Sequence, residues 1–149
     1  MLGALFAFIT SASSAIAFRG PLRAVPASGL TGLSGYAAYT VSTQHGAPEM
    51  LAAFLGALVV GLAGELLARR LRQPTLLFVV PGLFPLVPGI IAYNGMLSLA
   101  RNDLPNAAHQ IARTMFYAGS LAAGLALPPA VLRRHRNGQS TIFSHRPQS

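Results

Sequence analysis

Five long runs, at residues 2–18, 24–44, 50–67, 74–100 and 114–132, constrain this chain more than any other feature: four hold no charged side chain and the third holds only Glu65. A helix rises 1.5 Å per residue, so about 20 residues cross a hydrocarbon core about 30 Å thick. A 149-residue chain with five such runs has little left over for a soluble domain. Composition agrees, since 52% of residues are apolar and 9% charged, against about 25% charged in soluble domains. The expected fold is an all-α integral membrane protein with about five transmembrane helices. The second run, rich in Gly, Ser and Thr, suits a helix surrounded by protein rather than lipid.

The basic residues lie between the runs. All 11 are arginine, against 3 acids, for a net charge of +8. Nucleic-acid binders carry a basic stripe on a soluble module, so no nucleic-acid partner is expected. Short Arg-rich loops stay cytoplasmic. With five spans, Arg19 and Arg23, then Arg69, Arg70 and Arg72, then Arg133, Arg134, Arg136 and Arg146 fall on one side. That puts the N-terminus outside and the C-terminus inside, and leaves Arg101 and Arg113 on the outer side. The Arg clusters beside the spans are expected to contact anionic lipid, at about 1 kcal/mol per residue. Residues 133–149 read as a cytoplasmic, disordered basic tail. Ala15-Ile16-Ala17 resembles a signal-peptide cleavage site, but no basic residue precedes the apolar run, so the run is read as a span.

The fourth run holds the densest group of helix breakers. Pro81, Gly82, Pro85, Pro88 and Gly89 fall within nine residues, and interior prolines remove backbone bonds and clash with the preceding turn. The span is therefore expected to break near mid-membrane. Broken backbone survives there only inside protein or beside a wet cavity. A second half-helix starting near Pro88 would offer N–H groups and partial positive charge to an anion, with Tyr93 and Asn94 within two turns. The alternative is a kink that binds nothing.

Two charged positions stand out. Ala53, Ala57, Gly61 and Glu65 recur every four residues, placing Glu65 on a small-residue face turned to the bundle interior, where a carboxylate can carry a proton. The alternative is an i,i+4 pair with Arg69. Pro105 suggests a helix start that places His109 and Arg113 on one face near the outer mouth, where a guanidinium could grip a carboxylate. The alternative is an interfacial Arg113 paired with Asp103 or snorkelling to headgroups. Without cysteine, metal-ligand spacing, a phosphate loop or a nucleophile elbow, no metal, cofactor or enzymatic activity is expected.

Pro-Gly-x-x-Pro-x-x-Pro-Gly at residues 81–89, followed by Tyr93, Gly95 and Met96, closely resembles the signature of the threonine/serine exporter family. The match is to the family's C-terminal half, which in split members is a separate small subunit. The resemblance implies secondary export of small carboxylates across the bacterial inner membrane: threonine and serine in full-length members, dicarboxylates such as succinate in split ones. It implies energy from an ion gradient, and a larger subunit supplying the missing N-terminal half. A homo-oligomer would complete the site in another way. The residues alone also leave open a structural subunit and a passive channel.

Overall fold

The computed structural model describes residues 2–18, 20–22 and 24–137, with side chains described through residue 130. Arg19, Arg23 and the expected tail from residue 138 onward, Arg146 included, lie outside the described residues. All regular structure among the described residues is helical: α1 (Leu2–Ala17), α2 (Val25–Gln44), α3 (Glu49–Leu71), α4 (Leu76–Leu83), a 3-10 turn (Phe84–Leu86), α5 (Gly89–Ala100) and α6 (Leu104–Asn137).

Local chemistry sets the ends. Arg72 closes α3 in the left-handed conformation, φ 53°, as Gln73 N–H bonds back to Ala68 O at 3.1 Å. Asp103 opens α6. Its carboxylate accepts from the Asn106 side chain at 2.6 Å and from the Asn106 backbone N–H at 3.4 Å. Pro105 therefore falls at the second helical position, where its missing N–H costs nothing. The helix it begins does run through His109 and Arg113, as the sequence suggests, and it continues past residue 132 to Asn137. The first five residues of the expected disordered tail are thus helical.

The helices form a bundle around α2 and α3. Helix α3 packs on α2 and α6, α1 packs on α2, and α4 lies against α1, α2 and α3, while among the described residues α5 packs on α6 and no other helix. The contacts are made by small residues. Ala52, Ala53 and Ala57 are fully buried. A β-carbon on Gly56 would come within 3.1 Å of the Gly35 carbonyl oxygen, and one on Gly124 would run into the carbonyl of Phe54. Lipid tails are as apolar as leucine, so such close approach, rather than exclusion of water, holds helices together in a membrane. The Gly/Ser/Thr-rich α2 is the central helix, in keeping with its composition.

By length and composition, α3 alone among the described residues is a single helix able to cross a membrane. Residues 76–86 and 89–100 make a second candidate when read as one span bent by 55°. Helix α1 is apolar but only 16 residues long. A count of five spans therefore does not follow from the helices themselves.

Candidate functional site at the interrupted helix

Pro81 sits inside α4 and has no N–H for the carbonyl four residues earlier, that of Leu77. Helix α2 supplies the missing donor. Ser28, fully buried, places Oγ 2.9 Å from Leu77 O. Thr31, also fully buried, reaches Phe78 O at 3.1 Å while bonding Ser28 O of its own helix at 2.7 Å. Gly82 lies flat against this contact, where a β-carbon would sit 3.1 Å from Thr31 Oγ1 and from Val60 Cγ1. Pro81 and Gly82 thus seat the first half-helix on its neighbours.

Beyond them the backbone tightens and then extends. Phe84 N–H bonds Pro81 O, and Val87 is extended at ψ 131°. Helix α5 then starts at Gly89, whose N–H bonds Val87 O at 2.8 Å. The next amides of α5 are the ones a helix start leaves without partners in their own helix. Pro85, Pro88 and Gly89 line a cavity of about 200 Å³ together with Tyr36 and Tyr39 of α2, Glu49 of α3 and Tyr117 of α6. Tyr117 is buried, and nothing approaches within 4 Å of a β-carbon built on Gly89.

Glu49 brings Arg113 to this cavity's edge. The two side chains form an ion pair between α3 and α6, with Arg113 Nη2 donating to Glu49 Oε2. The hydrogen bond and the charge of Glu49 hold the guanidinium above its ordinary pKa. Arg113 faces a second recess of about 350 Å³, lined also by Met50, His109, Ala112 and Phe116. Asp103, the partner weighed for Arg113 in the sequence, is occupied by the Asn106 cap.

The other expected site residues fall elsewhere. Tyr93, 63% exposed, and Asn94 lie on the outer face of α5, because Gly95 is the residue that packs against Gln110 and Ile111 of α6. Glu65 is at the opposite end of α3 from Glu49, beside a cavity of about 390 Å³ lined by Gly61, Thr75, Val79, Leu125 and Pro129 among others. Ala53, Ala57 and Gly61 are buried on the same face of α3, and the Glu65 carboxylate pairs with Arg69 at 3.3 Å, the i,i+4 pair that the sequence offers as the alternative. Tyr36, Tyr39, Glu49 and Tyr117 were not singled out in the sequence. Tyrosines three apart in an otherwise small-residue span, and one of only three acids, were the signals available.

The bundle is all-helical among the described residues, and α3, with the bent pair at residues 76–100, is long and apolar enough to cross a membrane. A family model described as Threonine/Serine exporter, ThrE, matches residues 3–131, and the chain belongs to that family. It is 34% identical over 128 residues to a threonine/serine exporter of Corynebacterium glutamicum, a match covering 86% of this chain and 26% of that protein. It is 26% identical over 140 residues to an uncharacterized protein of Haemophilus influenzae, covering 89% of this chain and 47% of that one. The chain thus spans about a quarter and about half of these relatives' lengths. No solved structure matches it. The family is one of membrane transporters, not of enzymes.

Proposed function

We propose that this chain is the small, C-terminal-half subunit of a secondary exporter of small carboxylates, working by alternating access around the interrupted helix. The observation that carries the reading is the cavity at Pro85, Pro88 and Gly89 with the Glu49–Arg113 pair at its edge. A helix start, a guanidinium and tyrosine hydroxyls suit a carboxylate. The paired Glu49 favours a zwitterion over a dicarboxylate, because an α-ammonium can face Glu49 while the carboxylate faces Arg113. Threonine or serine is therefore preferred to succinate.

In this reading the protein crosses a bacterial inner membrane five times, with α4, the 3-10 turn and α5 as one broken span, the N-terminus outside and the C-terminus inside. Arg69 and Arg70 then meet anionic lipid at the cytoplasmic face, and Glu65, at that end, couples transport to the ion gradient. A larger subunit supplies the rest of the carrier, in keeping with the short span of the relatives that this chain covers.

The test is efflux from preloaded cells, with labelled threonine and labelled succinate, from this chain alone and with a candidate larger subunit. The reading expects threonine efflux that saturates and needs both chains. Efflux from this chain alone would make it a homo-oligomeric carrier. No efflux of either substrate in any combination would overturn the reading and leave a structural subunit. Non-saturating flux without counterflow would identify a channel.

A further inference from the structure

Glu49 lines the cavity at the helix interruption, and Arg113 lines the outer recess beside Met50 and Phe116. Their ion pair is therefore the point at which the walls of the two spaces meet. One member is on α3, at its first residue, and the other is on α6. Among the described residues α5 touches α6 and no other helix, and the cavity itself separates Ile90 and Ile91 of α5 from Tyr36 and Tyr39 of α2. By contrast α4 is tied to α2 through Ser28 and Thr31. The two halves of the interrupted helix thus rest on different neighbours, linked through the extended segment at Val87 and Pro88 and through the packing of α6 on α3.

From this division we infer that the Glu49–Arg113 pair is a gate: it closes α5 and the adjoining part of α6 onto α2 and α3, and its opening joins the recess to the cavity at the interruption. Both side chains are partly exposed, 32% for Glu49 and 42% for Arg113, so solvent or an arriving anion can reach them without unpacking the bundle. A carboxylate entering the recess competes with Glu49 for Arg113, and the released hairpin turns about Val87–Gly89. The moving half carries Arg113 and the fixed half carries Glu49. The gate's service to transport rests on the exporter reading; its existence rests on the contacts above.

Spin labels on Val41→Cys of α2 and Met96→Cys of α5 test the gate, both positions being exposed and the chain holding no other cysteine. The full chain in nanodiscs, without substrate, should give one distance population. Glu49→Gln should add a second, longer one. The charge-swapped double variant, Glu49→Arg with Arg113→Glu, should return it to the single short population. An unchanged distribution in Glu49→Gln, or a longer population that persists in the swap, would overturn the gate. Should Glu49→Gln fail to fold, the swap against Glu49→Arg alone decides by the same criterion. Threonine added to the parent protein assembled with its larger subunit should also produce the longer population. If only that arm fails, the exporter reading is at fault and the gate stands.

Discussion

The seating of the interrupted helix can be tested by a double-mutant cycle between Ser28 and Pro81. Ser28 is fully buried and its hydroxyl stands 2.9 Å from the Leu77 carbonyl that Pro81 leaves without a helical donor. Its other neighbour, Ala24 O at 3.0 Å, already accepts the Ser28 backbone N–H at 2.8 Å, so losing that contact costs little. Ser28→Ala therefore strands one buried carbonyl, at about 1–3 kcal/mol in general. Interhelical hydrogen bonds within membranes average about 0.6 and reach about 1.7 kcal/mol, so about 1–1.7 kcal/mol is expected here. In Pro81→Ala the restored N–H lies four residues after Leu77 and takes the carbonyl itself. Ser28→Ala in that background should then cost only a few tenths of a kcal/mol, a coupling of about 1 kcal/mol. Denaturation of the four proteins in mixed micelles, followed by circular dichroism, measures it. Equal cost of Ser28→Ala in both backgrounds would refute the argument.

Gly124→Ala forces a β-carbon against the Phe54 carbonyl and should destabilise the α3–α6 contact by about 1–3 kcal/mol, whereas Gly119→Ala, which meets nothing within 4 Å, should be neutral or gain up to about 1 kcal/mol; thermal unfolding of both checks the contrast. Pro85→Leu with Pro88→Leu should abolish efflux while leaving a folded protein, because a straightened helix closes the cavity; wild-type efflux would remove the interruption from the mechanism. Glu65→Gln should weaken the dependence of efflux on the proton gradient, and an efflux rate that responds to external pH as before would count against its coupling role. Tyr93→Ala and Asn94→Ala, on the outer face of α5, should leave threonine efflux within about threefold, about 0.65 kcal/mol.

How far the chain reveals itself depends on how local each cause is. Proline acts on its own turn, so the end of α4 and the turn that follows it are legible locally, as are the helix start signalled by Pro105 and the small-residue face leading to Glu65. The partners of Ser28 and Glu49 are not, because each lies far along the chain: 49 residues to Leu77, and 64 to Arg113. Spacing singled out Arg113 but offered Asp103 as its partner, whereas the ion pair forms with Glu49. Tyr93 and Asn94 follow the interruption closely in sequence, yet a helix turns about 100° per residue. The face of α5 that packs inward is set by Gly95 against α6, and that is information the other helix holds.

In the exporter reading, substrate occupies the cavity at the interruption. A single cysteine at Gly89 has room for its side chain there, in a chain with no other thiol, and can be labelled by a maleimide in the efflux-active assembly. Threonine at saturating concentration should slow that labelling at least several-fold, while a neutral sugar should not. Labelling at the same rate with and without threonine, in an assembly that still exports it, would place the substrate elsewhere and contradict the account.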